Sequence, residues 1–181
     1  MEKEKGSNNK KVMVAIDESE STYYALMWVL DNLKEWVTNS PLVIFSAQPS
    51  PKIWYAYAGL IGSTSMYSLV SPTAMELSSI AQERNKKVSL GLLEKAKKIC
   101  ASRGVKVETI TEAGDPKELI CNVVKTYNIS LLVLGYNEGG ALKRAFMGSQ
   151  SSYCLTNANC PVLVVKKPQK KDSKSKSSHP R

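Results

Sequence analysis

Histidine is nearly absent from this chain of 181 residues, which contains only His179, close to the C-terminus. That scarcity excludes metal sites built on histidine and catalysis by a Ser–His pair, because both need an imidazole inside the folded domain. The chain also lacks the run of about 18 apolar residues that a membrane-spanning helix needs. Residues 1–10 are charged and polar without an apolar stretch, so we expect neither a secretory signal nor a membrane span.

Cysteine is present but not in a pattern typical of metal or redox motifs. The four cysteines include no C-x-x-C pair; they are Cys100, Cys121, Cys154 and Cys160. In a chain without a signal peptide, such cysteines are expected to be reduced thiols, which favours a cytoplasmic protein. Because Cys100 and Cys121 fall near apolar helical positions, we expect all four to be packing residues.

The excess of positive charge lies at the two ends of the chain. The formal net charge is +9, of which residues 1–11 contribute +2 and residues 166–181 contribute +6, so the body carries only +1. Nucleic-acid binding by a folded surface therefore has little electrostatic support. We expect a flexible N-terminal segment (1–11), one folded domain (12–167) and a disordered basic tail (168–181). The tail either aids solubility or directs the chain to the nucleus or to acidic membranes through its lysine pairs.

Strand and helix signals alternate along the folded part. Apolar runs typical of buried strands cover residues 11–17, 42–47, 131–134 and 161–165, and residues 105–111 alternate as an edge strand does. Helical spacing predicts one helix from a Ser19 or Ser21 cap to Val37, a second over 73–102, a third from Asp115 and Pro116, and a short one after Gly148. The resulting order βαβαβαβαβ predicts an α/β fold with an open, parallel, five-stranded sheet in three layers, Rossmann-like, with helices on both faces.

A long segment between the second strand and the second helix, residues 48–72, is rich in proline, glycine and aromatic residues. Segments of this length inside a compact domain are usually functional or mobile. Its aromatic side chains either pack against one another, or form a lid over a site, or offer a docking surface to a partner.

The stretch after Leu134 has the chemistry of a phosphate site. A buried strand ends at Gly135, a glycine-rich loop with Lys143 and Arg144 follows, and Gly148-Ser149 opens a helix. Backbone N–H groups of such a loop and the N-terminus of the helix can hold an anion. In an open parallel sheet, ligands bind beyond the carboxyl ends of the strands where the strand order reverses. Asp17 and Ala47, at or beyond the ends of two other strands, suit the same edge.

These motifs resemble the universal stress protein family in its plant single-domain form, over about residues 12–167. The family's nucleotide loop runs Gly, two residues, Gly, nine residues, Gly-Ser/Thr, which Gly135, Gly148 and Ser149 match. The middle glycine is replaced by Glu138, and Asn137 stands where plant members usually carry His or Arg. Residues 14–20 near the start of the domain and residues 114–116 are also similar to the plant form.

The resemblance implies an adenine nucleotide α-hydrolase-like fold with ATP or AMP bound between the first and fourth strands, and Mg²⁺ possible on the phosphates of ATP. By spacing alone Asp17 is open to a second interpretation as a helix cap at a strand end, but the family pattern favours a ligand role in which it faces the ribose or the adenine. The backbone at Ala47 contacts the adenine edge. The implied nucleotide-binding residues are Ala15, Ile16, Asp17, Ala47, Leu134, Gly135, Asn137, Glu138, Gly148, Ser149, Gln150 and Ser151.

Glu138 separates two functional hypotheses. A glutamate resists the left-handed backbone that glycine allows and adds negative charge beside a phosphate, although Lys143 and Arg144 can offset that charge. The first hypothesis is a nucleotide-binding stress-response or signalling module, non-catalytic or with very slow ATP turnover. The alternative is a pseudo-nucleotide-binding scaffold that acts through protein–protein interaction. An enzyme of the related ATP-pyrophosphatase type is disfavoured, because residues 17–19 lack the Ser-Gly-Gly loop, and no catalytic residue is assigned.

The resemblance also implies a homodimer in which the last strand, Pro161 to Val165, pairs across a two-fold axis. An exposed apolar edge strand favours such pairing independently. A further protein partner is expected, of a kind that the sequence does not specify.

Overall fold

The computed structural model describes residues 10–50, 72–136 and 148–168. The strands are β1 (Val12–Ala15), β2 (Leu42–Pro49), β3 (Val107–Gly114), β4 (Leu131–Gly135) and β5 (Val162–Val165). The helices are α1 (Glu20–Asn32), α2 (Lys34–Asn39), α3 (Pro72–Ser102), α4 (Pro116–Thr126) and α5 (Ser149–Asn157). The strands form one parallel sheet in the order β3-β2-β1-β4-β5, which confirms the predicted fold class.

The central strands are buried on both faces because their apolar runs are continuous. Alternate residues of β1 enter two different cores, with Val12 and Val14 on one face and Met13 and Ala15 on the other. The first core packs against α1, α2 and α3, and the second packs against α4 and α5. This arrangement gives the three predicted layers and explains why the strand runs show no polar alternation.

The strand order reverses between β1 and β4. From β1 the chain moves outward through β2 to β3, then returns to β4 on the other side of β1 and continues to β5. Val12 pairs with Leu131 and Val14 with Val133, so the carboxyl ends of the two strands lie side by side. The helices that follow them diverge to opposite faces, which leaves a crevice at this edge of the sheet.

Two helices begin at the predicted capping residues. The Ser19 side chain accepts a hydrogen bond from the Thr22 N–H of α1 at 3.4 Å. The Asp115 side chain accepts one from the Lys117 N–H at 3.1 Å, with Pro116 at the first position of α4. Each cap satisfies a backbone donor that would otherwise have no partner at the helix start.

The first predicted helix is interrupted. The sequence predicts a single helix as far as Val37, whereas α1 ends at Asn32 and α2 begins at Lys34. Leu33 between them has a φ of −112° and a ψ of 30°, which are not helical. The Leu33 N–H still donates to the Val29 carbonyl at 2.8 Å. Val37 keeps its predicted place in the core at 1% exposure, so the break changes the helix direction without exposing the apolar face.

β2 and β3 extend beyond their predicted ends because their pairing continues there, whereas β1 is shorter than the predicted run of residues 11–17. β2 continues beyond residue 47, since Gln48 and Pro49 pair with Ala113 and Gly114. β3 begins and ends later than 105–111, and its exposed residues come in adjacent pairs rather than alternating. It is an edge strand as predicted.

Several predicted features fall partly or wholly outside the described residues. They are the segment 1–11 apart from its last two residues, most of the segment 48–72, and the tail beyond Pro168. Within the described ranges, no helix has both the length and the apolar character that crossing a bilayer requires.

Candidate functional site

A pocket of about 180 Å³ lies where β1 and β4 end. It holds eight of the twelve residues predicted for the nucleotide site, together with three that the prediction omitted. Its lining consists of Ala15, Asp17, Ser19, Ser21, Thr22, Leu134, Gly135, Gly148, Ser149, Gln150 and Ser151. We call this the switch-point pocket, because it lies where the strand order reverses.

Gly135 lets the start of α1 approach the end of β4. A Cβ atom at this residue would lie 2.6 Å from the backbone carbonyl carbon and oxygen of Ser21 and 2.7 Å from the Thr22 nitrogen. No real Cβ tolerates such contacts with backbone atoms, which cannot move aside as a flexible side chain can. The glycine is required by this close approach, which brings the first turn of α1 to the pocket.

Asp17 organises the turn between β1 and α1. Its Oδ1 atom accepts hydrogen bonds from the Ser19 N–H at 2.8 Å, the Ser19 hydroxyl at 2.5 Å and the Thr22 hydroxyl at 3.0 Å. The Asp17 N–H lies 3.2 Å from the Thr22 oxygen. The helix cap itself is Ser19, so Asp17 is not the cap that spacing alone suggested but stabilises the turn that carries this cap. The Oδ2 atom takes part in none of these bonds.

The start of α5 presents backbone donors to the same pocket. Gly148 occupies the N-cap position and makes no side-chain capping bond, and the first helical bond runs from the Ser152 N–H to the Gly148 carbonyl at 3.0 Å. The N–H groups of Ser149, Gln150 and Ser151 precede that bond and thus have no partner inside the helix. Together with the helix dipole they favour an anion at this point.

The Ser151 side chain adds a buried hydroxyl to these donors. Ser151 is only 6% exposed and lines the switch-point pocket. A serine hydroxyl can donate a hydrogen bond to an anion or accept one from a ligand hydroxyl.

Two predicted residues lie next to the pocket rather than in it. Ile16 is 8% exposed and packs into the core beneath α1 and α3, where it lines a separate cavity of about 80 Å³. The Ala47 carbonyl accepts a hydrogen bond from the Ser89 hydroxyl at 3.1 Å. Because the Phe45 carbonyl faces β1 and peptide groups alternate along a strand, the backbone polar groups of Ala47 point past the end of β1.

The remaining predicted residues of the loop, Asn137 and Glu138, lie outside the described residues, as do Lys143 and Arg144. Among the described residues that line the pocket, Asp17 is the only charged one. Within the described part of the chain, no group of three or more His, Cys, Asp or Glu side chains could hold a metal ion.

The omitted residues are the hydroxyl side chains of α1's first turn. From the sequence, Ser19 and Ser21 are predicted only as alternative caps, and Thr22 has no predicted role. The sequence signal for these residues is that three hydroxyl side chains lie within five positions after Asp17. Asp17 is a carboxylate beyond the end of β1 that accepts hydrogen bonds from two of them. What the spacing could not reveal is that Gly135 brings this turn against β4.

Comparison with known families identifies the domain. The family model described as "Universal stress protein family" matches residues 8–166. The chain belongs to the universal stress protein family. Universal stress protein YxiE of Bacillus subtilis is 30% identical over 156 residues, which cover 86% of this chain and 98% of that protein. A universal stress protein A-like protein of Arabidopsis thaliana is 36% identical over 86 residues, which span 48% of this chain and only 49% of that protein.

Solved structures of universal stress proteins share the fold. UspA from Lactobacillus plantarum superimposes with a TM-score of 0.68 at 18% identity, covering 87% of this chain and 97% of that one. A family member from Arabidopsis thaliana, solved with AMP bound, gives a TM-score of 0.61 at 25% identity and covers 88% of this chain and 92% of that one. A universal stress protein in complex with cAMP gives a TM-score of 0.56 at 17% identity, covering 88% of this chain and 98% of that one.

Proposed function

We propose that this universal stress protein binds an adenine nucleotide, AMP or ATP, with its phosphates in the switch-point pocket. The observation that carries the proposal is the convergence of two helix starts on one pocket, with the free N–H groups of Ser149 to Ser151 on one side and the first turn of α1 on the other. The Arabidopsis family member solved with AMP bound, at 25% identity, supports adenine as the base.

In this proposal the nucleotide is held rather than cleaved. Among the described residues that line the pocket, the polar side chains are hydroxyls, one amide and one carboxylate. Asp17 is the only candidate base among them, and its Oδ1 atom already accepts three hydrogen bonds. Fast hydrolysis needs a positioned base or an activated nucleophile. We therefore propose a binding module with at most very slow ATP turnover, in which Mg²⁺ accompanies the phosphates of ATP.

The proposal is tested by titration calorimetry of the full chain with AMP and with ATP plus Mg²⁺. Ser149→Asp adds a carboxylate at the phosphate position. Because two charges about 4 Å apart repel by about 4 kcal/mol at an effective dielectric near 20, we expect loss of measurable binding. Ser152→Asp is the matched control, since it adds the same charge to the same helix at an exposed residue that does not line the pocket. Absence of binding by the unaltered chain at millimolar nucleotide would disprove the proposal.

The scaffold hypothesis makes a different prediction for the same titration. It is favoured by one feature of the sequence, the glutamate that replaces the middle glycine of the nucleotide loop. If the chain is a scaffold, the unaltered protein fails to bind either nucleotide and Glu138→Gly gains binding. Comparable binding by both proteins supports the nucleotide-binding module instead.

We also propose that the functional unit is a homodimer formed through β5. This strand is at the edge of the sheet and is entirely apolar. The Pro161 and Val165 carbonyls face β4, where they accept from the Leu132 and Tyr136 N–H groups at 3.0 and 2.8 Å. By alternation, the polar backbone groups of Val162 and Val164 face the open edge, where a second copy of the strand can pair with them.

A further inference from the structure

The chain that leaves β5 brings two lysines to the end of the sheet where the switch-point pocket opens. The Tyr136 N–H bonds to the Val165 carbonyl, so β4 and β5 end level with each other. Beyond that bond, Lys166 Nζ lies 4.8 Å from the centre of the Tyr136 ring. Lys167 Nζ lies 3.0 Å from Glu20 Oε2. Glu20 is the first residue of α1, between Ser19 and Ser21, and both of these neighbours line the pocket.

The described residues that line the pocket supply no positive charge for the proposed ligand. A nucleoside monophosphate carries about −1.5 to −2 at neutral pH. Among these described residues the only charged side chain is the acidic Asp17, and Glu20 lies in sequence between the lining residues Ser19 and Ser21. Of the ion pairs between described residues, the one that involves a neighbour of the lining residues is Glu20–Lys167.

We propose that Lys167 is a phosphate-binding residue of the switch-point pocket, and that its ammonium group transfers from Glu20 to the ligand's phosphate oxygens when nucleotide binds. This inference rests on the proposed nucleotide function. Lys167 is separated in sequence from every glycine and serine of the nucleotide loop, and it meets Glu20 at the start of α1 because β5 ends beside β4.

The existing ion pair is weak enough for this exchange. Its two side chains are 52% and 82% exposed, and an exposed pair contributes only about 0–1 kcal/mol because water screens it and both side chains lose rotamer freedom. A phosphate held by the N-terminus of α5 carries more charge than a single carboxylate and is less screened, so it makes the stronger charge-assisted hydrogen bond. The flexible stem of a lysine permits the movement without a backbone change.

Glu20 then acts as a competitor for Lys167. Its negative charge also repels a phosphate, since Glu20 is adjacent in sequence to two residues that line the pocket. Both the competition for Lys167 and the repulsion of the phosphate lower the nucleotide affinity, so replacing Glu20 by glutamine strengthens nucleotide binding. Release of Glu20 on ligand binding is itself inexpensive, because a carboxylate in the first turn of a helix is stabilised by the helix dipole.

The test is calorimetry of the full chain with AMP and with ATP, at two salt concentrations. Lys167→Gln is expected to weaken binding about three- to tenfold, more for ATP than for AMP and less at high salt, in line with the loss of one partly exposed charge contact. Lys167→Arg keeps the charge and retains most of the affinity. Glu20→Gln tightens binding about two- to threefold, again as a partly exposed charge effect. Lys97→Gln, which removes an equally exposed lysine paired with Glu94 on α3, leaves the affinity unchanged.

The outcomes separate the two proposals. If the unaltered chain binds nucleotide and Lys167→Gln binds equally well at both salt concentrations, the inference about Lys167 is wrong while the nucleotide site remains. If the unaltered chain does not bind, both proposals are wrong. A melting curve of Lys167→Gln that matches the unaltered chain excludes misfolding as the reason for weaker binding.

Discussion

Gly135 illustrates how a residue of a ligand loop can have a packing role. Sequence analysis assigned it to the nucleotide loop, whereas the structure shows it in contact with the backbone of α1's first turn. Both roles are compatible, since the contact is what brings α1 to the pocket. The consequence is that substitutions here affect stability before they affect ligand binding.

Gly135→Ala is expected to lower the free energy of unfolding by about 1–3 kcal/mol, because the added Cβ forces α1 away from β4. The measurement is urea denaturation followed by circular dichroism. Gly91→Ala is the matched control: it lies at an exposed position of α3, and no atom is within 4 Å of its Cβ. There alanine is expected to stabilise the chain by up to about 1 kcal/mol, because it favours the helix more than glycine does. Equal free energies of unfolding for the two variants would contradict the destabilisation expected from the close contact at Gly135.

The cysteines behave as packing residues, as the sequence predicts. All four are free, and Cys100 and Cys154 are fully buried. Burial raises the pKa of Cys100 to about 11 and that of Cys154 to about 12. For Cys154, the neighbouring thiols of Cys121 and Cys160 raise the pKa further. Burial also raises the pKa of Cys121 and Cys160.

Thiol labelling at pH 8 tests this assignment. Because the thiolate is the reactive form, raised pKa values predict slow alkylation of all four cysteines in the native chain, with half-buried Cys121 and Cys160 modified before Cys100 and Cys154. Mass spectrometry of peptides gives the order, and full labelling in denaturant is the control. Rapid modification of Cys100 in the native state would be inconsistent with its burial.

The same shifts set a direction for stability against pH. A thiol whose folded-state pKa is raised stays protonated in the native chain while the unfolded chain ionises. The thiol's contribution to the free energy of unfolding is complete below about pH 9 and is lost as the pH rises towards 11 or 12. We therefore expect the urea concentration at the unfolding midpoint to decrease as the pH is raised above 9.

At the scale of the element, α4 is the clearest case of local sequence determining a boundary. Asp115 caps the helix, Pro116 begins it, and the buried face includes Ile120, Val123 and Val124. These signals lie within a few residues of one another, so no long-range contact is needed to specify where the helix starts.

Asp115→Ala is expected to destabilise the chain by about 1 kcal/mol, the usual cost of losing a side-chain cap. The loss is read from the urea midpoint. Asp31→Ala serves as the control, because it removes an exposed aspartate that pairs with Arg103 near the C-terminal end of α1, where an acid caps nothing. A larger loss for Asp31→Ala than for Asp115→Ala would argue against the capping role.

At the scale of the whole molecule, the two sheet edges differ in composition. β5 is short and apolar, whereas β3 carries Glu108, Thr109, Thr111 and Glu112. Exposed polar and charged residues protect an edge against pairing, and an apolar edge invites it. We therefore expect association through β5 and none through β3.

Val164→Pro tests that expectation by sedimentation. It removes an N–H that faces the open edge of β5 and leaves the bonds to β4 in place, so the chain is expected to change from dimer to monomer with its secondary structure intact. Thr109→Pro is the matched control: by alternation from the Lys106 carbonyl that faces β2, its N–H faces the open edge of β3. This variant is expected to remain a dimer. Monomers in the unaltered chain would refute the dimer proposal.

The sequence by itself determined the elements and their order, because apolar runs, helix caps and chain breaks act over a few neighbouring residues. It also determined the family and the edge of the sheet at which a ligand would bind, since the order βαβαβαβαβ restricts a parallel sheet to few topologies. It missed the break at Leu33 because the apolar spacing continues across it to Val37.

Only the tertiary structure decided what meets at that edge. The contact of Gly135 with Ser21, the place of the Ser151 hydroxyl in the same pocket and the pairing of Lys167 with Glu20 depend on strand order and on how level the strand ends are. Lys167 and Glu20 are 147 positions apart, and neither has an unusual neighbourhood in the sequence. Side chains that converge from distant elements have no local signature, because the packing of the sheet and helices, rather than chain spacing, sets the distance between them.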